Sequence, residues 1–453
     1  MDEHLPIEKL HFEAAPSVDR VPGPRSRELR ERQSRIESNA VVYPTDVPLA
    51  FEEGQGATLK DVDDNYYLDF FAGIGVLNVG HSHPWVTASV AQQAGTLSQT
   101  LDFPTEARLE LIEKLDEIAP GDLQGNNCVV FGGPTGSDAV EGSIKLAKYN
   151  TGNNGLIAFY GAFHGETAGA YSLTADTKYK QPYTPLLAEV EHIPYPDSFH
   201  QDKDDEQAVA DALAAARRVL EDRFGAMPNP AGVWVEPIQG ENGIIVPPEG
   251  FLSGLKDLTD AHDVPLIIDE IQTGMGRTGK WFASEYAGVT PDIMPMAKAL
   301  GSGLPLSATM YHEDLDTWGP GGHTGTFRGF LPAMRASVRA IEYIQSQELL
   351  AHSRTEGEYM LERLQGATES NPAIGEVRGR GMYVGIDFTD GEQRSSQELV
   401  GAVQTACYEE GALVWTGGDD DTIRLIPPLV MTHDQVETGL DILIEAIESV
   451  TAA

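Results

Sequence analysis

Positive charge is scarce in this chain. Against 70 aspartates and glutamates stand only 31 lysines and arginines in 453 residues, a formal net charge of −39. Phosphate backbones attract the opposite sign, so nucleic acid is not an expected partner. Cysteine is nearly absent, with only Cys128 and Cys407, which argues against a disulfide framework or a cysteine metal cluster. No stretch of about 18 apolar residues occurs, so no membrane span is expected. The N-terminal MDEHLPIEKLHFEAAPSVDR lacks the apolar core of a secretion signal. Repeats and low-complexity segments are missing too. What remains is the expectation of a cytoplasmic enzyme, long enough for a deep core and two or three lobes.

The acids are spread along the chain, with denser patches at Asp202–Glu206 and Asp419–Asp421. A single acidic block would point to a basic partner. A dispersed excess points instead to a surface kept soluble in strong salt, where the screening length falls to roughly 3 Å at 1 M. A halophilic source is the expectation.

The chain is organised around residues 264–303, VPLIIDEIQTGMGRTGKWFASEYAGVTPDIMPMAKALGSG. The apolar run Val264–Ile268 predicts a buried strand that ends at Asp269 and Glu270. Open α/β sheets build their sites at such strand ends. Lys298 sits among Met296, Ala297, Ala299 and Leu300, and partial desolvation makes its amine a usable nucleophile. Taken singly, the acid also reads as a loop cap and the lysine as one that snorkels to water. Together they suit pyridoxal phosphate, with the lysine bonded to its carbonyl carbon and the acid facing its ring nitrogen. The run GMGRTGK, residues 274–280, matches the spacing of a phosphate loop. Trp281 stands where that loop needs Ser or Thr for magnesium, so a glycine-rich turn explains it better.

The rest of the chain predicts an arm or short helix to about residue 40, then strands near Leu49–Glu52, Ala57–Val62 and Tyr66–Phe70. Helices are expected over Pro84–Leu97 and Thr105–Ile118. His81 and His83 read as a turn before Pro84 rather than as metal ligands, since no third ligand lies nearby. CVVFGGPTGSDAVEGSIKLAKYNTG then gives strand, glycine-rich turn and helix, with free N–H groups and Ser137 at the helix start as a phosphate cradle. Leu156–Tyr160 is a strand followed by Phe163 and His164, which read either as a stack for a flat cofactor ring or, as aromatics there more often are, as packing. Residues 197–223 predict a loop and an acidic helix. Gly232–Val235 is a strand ending in Glu236, with Glu241 in the loop beyond, and a helix over Gly250–His262 precedes the central stretch. This alternation predicts a mostly parallel, mixed sheet flanked by helices. Past residue 330 come helices at Leu331–Gln347, Glu356–Gln365, Ser396–Glu410 and Thr432–Val450, with strands between them. Three parts are expected: an arm and meander over 1–75, a large α/β domain over 76–330, and a small α+β domain over 331–453.

Residues 40 to 445 resemble the class III aminotransferases of fold type I, the pyridoxal-phosphate group that includes the 4-aminobutyrate, ornithine, acetylornithine and diaminobutyrate transaminases. DEIQTGMGRTG followed by PDIMPMAKALGSG carries the resemblance, with Asp269 and Lys298 spaced 29 apart. The resemblance implies Lys298 as the Schiff-base lysine that also moves the proton, and Asp269 as the acid holding the ring nitrogen protonated. It further implies Gly136 and Ser137 at the phosphate, Phe163 on the ring with His164 and Glu236 beside the cofactor, and Gln272 near the phenolic oxygen. Thr326 would reach the neighbouring subunit's phosphate, which implies a homodimer with shared sites. Glu241 and Arg424 match the family's switch pair, where the arginine binds a substrate carboxylate in one half-reaction and the acid neutralises it in the other. An ordinary ion pair is the plainer account of the same two residues.

The common members follow their aromatic-x-Gly with an arginine that holds glutamate's distal carboxylate. This chain has Phe163-His164-Gly165-Glu166. An acid cannot hold a carboxylate, so Glu166 either faces a substrate ammonium or points to solvent. Diaminobutyrate transaminases also lack that arginine, and they share GPTG, a TLD segment like Thr100–Asp102, and HTGTFRG, here His323–Gly329. Phe330 stands where an asparagine is expected. The resemblance thus implies transfer of an amino group from L-2,4-diaminobutyrate to 2-oxoglutarate, with Ile74 among the substrate-lining residues. Other ω-transaminases and a class III amino acid racemase are the alternatives.

Overall fold

The computed structural model describes residues 5–175, 180–221, 227, 229–369, 371–391 and 394–452. They form two compact units, one from Met1–Pro84 with Ser346–Ala453 and the other from Trp85–Gln345.

The chain opens with α1 (Pro24–Ile36) and a meander of β1 (Phe51–Gln55), β2 (Thr58–Asp61) and β3 (Tyr66–Asp69). The first strand starts two residues later than its predicted Leu49. The second unit follows with α2 (Pro84–Thr96) and α3 (Glu106–Ile118). Thr105 caps α3 by accepting from Arg108 N at 3.3 Å, which satisfies one of the free amides at the helix start. Next come β4 (Asn127–Phe131), α4 (Gly136–Thr151), β5 (Gly155–Phe159), α5 (Ala168–Leu173) and β6 (Val190–Ile193). Helix α6 (Asp205–Glu221) is the expected acidic helix, whose predicted last residues 222–223 lie outside the described residues. Strand β7 (Pro230–Val235), α7 (Phe251–Asp260), β8 (Leu266–Ile268), β9 (Ile293–Met296), β10 (Ala308–His312) and α8 (Leu331–Ser346) complete this unit.

Its seven strands run in the order β4-β10-β9-β8-β7-β5-β6. Strand β10 is antiparallel to both neighbours, and the pairs from β9 to β6 are parallel. Alternation along each strand feeds two cores. Ile157, Phe159, Val233, Val235, Leu266 and Ile268 pack with Ala212 and Ala216 of α6 and with Phe251, Leu252, Leu255 and Leu258 of α7. Leu156, Ala158, Trp234 and Ile267 point the other way, onto Val140, Ile144 and Ala147 of α4. The sheet is therefore covered on both faces, as near-continuous apolar strands require. Trp234 is fully buried, and its indole N–H donates to Ser143 Oγ at 2.9 Å, fixing α4 against the sheet.

The first unit resumes with α9 (Leu349–Thr368), β11 (Ile374–Gly379), β12 (Val384–Phe388) and α10 (Ser396–Glu409). It ends with β13 (Ala412–Leu413), β14 (Trp415–Gly417), β15 (Thr422–Leu425) and α11 (His433–Thr451). One sheet is β11-β12-β15-β14, and the other adds β13 to the meander. That addition is a parallel pairing of Ala412 with Leu68 and of Leu413 with Asp69. It explains why the arm and the C-terminal part make one unit where separate domains at 1–75 and 331–453 were expected. Two residues pairing with a distant strand leave no local pattern to read. Among the described residues no helix is long and apolar enough to cross a membrane.

Candidate active site

The carboxyl ends of β5, β7, β8 and β9 gather most of the residues singled out in the sequence. Strand β8 delivers Asp269, only 4 % exposed. Its main-chain N–H donates to Val235 O at 2.8 Å, and Oδ1 accepts from Ile271 N at 3.0 Å. Oδ2 lies 2.8 Å from His164 Nδ1. His164 was grouped with Phe163 as a ring-stacking candidate, but its imidazole is turned onto the carboxylate. It is buried, which alone would lower its pKa. The hydrogen bond and the negative charge of Asp269 outweigh burial and raise it. Thr174, which no sequence signal marked, holds the same loop by accepting from His164 N at 2.9 Å and donating to Gly165 O at 2.9 Å.

Strand β9 pairs in parallel with β8, Ile293 beside Ile267. It ends just before Lys298, so lysine and aspartate leave neighbouring strands about 4.8 Å apart at the same edge of the sheet. Lys298 takes a left-handed backbone, φ 48°, at the start of a short 3-10 turn, Lys298–Gly301. A non-glycine residue in that region is a local strain of the kind that accumulates at functional sites. The side chain is 21 % exposed, so the expected partial desolvation is present, and Nζ stands 3.9 Å from Glu241 Oε1. The same oxygen accepts from Gln272 Nε2 at 2.9 Å.

Helix α4 begins beside these loops, Ser137 against Glu166 and Gly136 against Ile271. Thr135 and Asp138 form a capping box there, each side chain accepting from the other's main-chain N–H. A side chain at Gly136 would press on Ile271 at 3.0 Å. Ser137 Oγ accepts from Glu166 N at 3.2 Å. Gly165, at φ +122°, passes so close that a Cβ would meet Ser137 Oγ at 2.1 Å. Only glycine allows both that backbone and that approach. Glu166 itself is exposed.

Glu236, at the end of β7, is 7 % exposed and its carboxylate is taken up by the protein. Oε1 accepts from Phe163 N at 2.9 Å and Oε2 from Gly240 N at 3.0 Å. Burial pushes its pKa up to about 7. Glu270, beside Asp269, is 1 % exposed and is likewise pushed up by burial to about 7. It accepts from Thr273 Oγ1 and from Ser284 N, the latter at 2.8 Å.

The remaining candidates lie elsewhere. Thr326 occupies an exposed loop of the second unit, where its carbonyl accepts from the Gln99 amide. Arg424 and Ile74 belong to the first unit. Arg424 is 2 % exposed on β15, with Nε donating to Thr416 O at 2.8 Å. Ile74 is half-buried in a tight turn at φ 63°.

These residues fit a flat, phosphate-bearing aldehyde. A helix start bearing a serine hydroxyl suits a phosphate, a half-buried phenylalanine lies at the next strand end, and a buried carboxylate is backed by an imidazole whose Nε2 has no protein partner among the described residues. The amine sits one strand away.

Residues 41–447 match the family described as Aminotransferase class-III. The chain is 35% identical over 431 residues to the diaminobutyrate–2-oxoglutarate aminotransferase of Rhizobium meliloti, covering 92% of each. It is 38% identical over 422 residues to the diaminobutyrate–2-oxoglutarate transaminase of Nocardia farcinica, covering 92% of this chain and 93% of that one. An alanine/serine racemase of Pyrococcus horikoshii is 33% identical over 452 residues, covering 98% and 94%. Among solved structures, the ornithine aminotransferase of Toxoplasma gondii superposes with a TM-score of 0.82 at 27% identity, covering 94% of both chains.

Proposed function

The chain belongs to the class III aminotransferases, pyridoxal-phosphate-dependent transaminases, and from that premise we propose that its donor is L-2,4-diaminobutyrate. The terminal amino group passes to 2-oxoglutarate, giving L-aspartate 4-semialdehyde and L-glutamate. One observation carries the donor assignment: Glu166, an exposed acid tied by its main chain to Ser137, stands where a carboxylate-binding arginine would serve other donors. An acid there favours a donor that brings a second ammonium group. The relatives named for diaminobutyrate support the same choice.

Bound pyridoxal phosphate supplies the electron sink that makes the donor's C–H bond acidic. In this reading Lys298 carries the cofactor and then takes and returns the proton at the reacting carbon. Asp269, oriented by His164, keeps a proton on the ring nitrogen. Gly136 and Ser137 would hold the phosphate, Phe163 would cover the ring, and Gln272 would serve the phenolic oxygen. Glu236 steadies this end of the sheet, accepting from Phe163 N and Gly240 N. The family resemblance assigns Arg424 to a substrate carboxylate, Glu241 to its neutralisation when the other substrate binds, and Ile74 to the substrate side. Thr326 serves the cofactor of a second copy, so the working form is a homodimer. Leu101, Phe103 and Phe327 support that assembly, being 48, 70 and 73 % exposed in the two segments that Gln99 joins to Thr326. The protein is cytoplasmic and comes from a halophile, as the net charge of −39 suggests.

A steady-state screen of diaminobutyrate, ornithine, N-acetylornithine and 4-aminobutyrate, each with 2-oxoglutarate, tests the donor. The expected result is the highest kcat/KM with diaminobutyrate, and equal rates with ornithine would defeat it. Lys298→Ala should lower turnover by about 10⁴-fold and remove the visible absorption of the lysine-linked cofactor. The racemase relative favours a second reading, amino acid racemisation on the same lysine. Loss of optical rotation without any oxo acid would select it.

A further inference from the structure

Strands β5 and β7 are parallel neighbours, Ile157 beside Val233, so the loops leaving their carboxyl ends start side by side. One carries Phe163 and His164, and the other carries Glu241. Glu236 joins them through both carboxylate oxygens, Oε1 accepting from Phe163 N at 2.9 Å and Oε2 from Gly240 N at 3.0 Å. Further contacts stitch the same two loops. Gln239 Nε2 donates across to Tyr160 O at 2.8 Å, and within its own loop Gln239 Oε1 accepts from Asn242 Nδ2 at 3.0 Å. A Cβ on Gly161 would come within 2.3 Å of Asn242 Nδ2, so only glycine lets the loops close this tightly. Tyr195 Oη donates to the main-chain oxygen of Glu236 at 3.1 Å and fixes the root of the clamp.

We propose that Glu236 is a positioning residue whose carboxylate clamps the Phe163 loop to the Glu241 loop, holding the ring-covering residue and the movable acid in one register. The proposal rests on the roles given above to Phe163 and Glu241. Both carboxylate oxygens are engaged by backbone donors, one from each loop. A buried carboxylate held by two N–H groups is strongly directional. Removing either acceptor strands a buried amide.

The clamp has a built-in sensitivity to pH. Burial lifts the Glu236 carboxyl to about 7, and the charged groups acting on it are His164, from the loop after β5, and Asp269, at the end of β8. A proton on one oxygen turns an acceptor into a donor facing an N–H. One of the two loops is then released.

Hydrogen–deuterium exchange on the cofactor-loaded protein tests this directly. Glu236→Gln keeps the shape but offers one acceptor. Glu236→Asp keeps the charge but is one methylene too short to reach both donors. Either change is expected to lower protection roughly tenfold or more in residues 160–166 and 237–243, while β5 and β7 keep theirs. The circular dichroism of the bound cofactor should change with it, and KM should shift unequally for donor and acceptor. In the wild-type protein, protection of the same two segments should fall selectively between about pH 8 and about pH 6. Unchanged protection in the variants, loss spread evenly over the unit, or no selective change with pH in the wild type would each overturn the clamp. Absence of transamination with every donor would remove the proposed function but leave the exchange result standing.

Discussion

Acids at the carboxyl ends of β7 and β8 and acids on helix α6 share a charge and little else. Glu236, Asp269 and Glu270 are 7, 4 and 1 % exposed. Each is held by named donors: Phe163 and Gly240 for the first, His164 and Ile271 for the second, Thr273 and Ser284 for the third. On α6 and the turn before it, Asp204, Asp205 and Glu206 are exposed. Asp211 pairs with Lys203 at 2.8 Å, both side chains still about a third or more in solvent. A buried charge must be paid for locally by hydrogen bonds, whereas an exposed one interacts weakly through water and salt. The interior acids therefore act one by one and the surface acids only in number.

The strongest way to break this contrast is Asp269→Asn. The amide still meets His164 but lacks the negative charge that the proposed function assigns to the ring nitrogen. We expect kcat/KM to fall by about 10²–10³-fold with the fold intact, read by steady-state kinetics beside a far-ultraviolet spectrum. A change under tenfold would place Asp269 with the surface acids.

Glu270→Gln comes next. Burial raises its carboxyl, and that of Glu236, to about 7, while an unfolded chain titrates near 4.5. Between those values the native state holds protons that the unfolded state has lost. Stability from these groups is therefore complete below about pH 4.5 and is lost as pH rises through 7. Chemical denaturation of the wild type should show this decline. Glu270→Gln should flatten it by about 3 kcal/mol. An unchanged pH slope would show that Glu270 is solvated after all.

Glu166 sharpens the comparison because it is exposed yet its main chain is tied to Ser137. In the proposed reading, Glu166→Arg would supply a cation for carboxylate-bearing donors. The ratio of kcat/KM for 4-aminobutyrate to that for diaminobutyrate should rise about tenfold or more. No change in the ratio would make Glu166 one more solvent-facing acid.

The contrast also decides what was legible in the sequence. Asp269 and Lys298 were readable because strand, acid, loop and lysine follow one another in one continuous stretch. The two-faced core was readable from the alternation of strands and helices. The His164–Asp269 contact was not, since an imidazole beside an aromatic at a strand end signals stacking as readily as pairing. Thr174 and the double grip of Glu236 depend on where two loops meet, which neither loop encodes alone. The boundary at residue 331 failed for a similar reason. A change in element type announced a new domain there, but α8 buries Leu331, Met334, Val338 and Ile341 in the core of the second unit.

The smallest expected effect belongs to the surface. Glu206 is exposed in the first turn of α6, where an acid gains a few tenths of a kcal/mol from the helix dipole and loses about as much to its acidic neighbours. Glu206→Gln should therefore shift stability by less than about 0.5 kcal/mol in 2 M salt. The sign should become favourable as salt is removed, because screening no longer hides the repulsion of a chain at −39. Thermal unfolding of the wild type and Glu206→Gln from about 0.1 to 2 M potassium chloride measures both. The wild-type Tm should rise with salt over the whole range, and the variant should rise less steeply. A flat wild-type curve would mean that the surface acids are not held apart by solvent ions, and the halophilic reading would go with it.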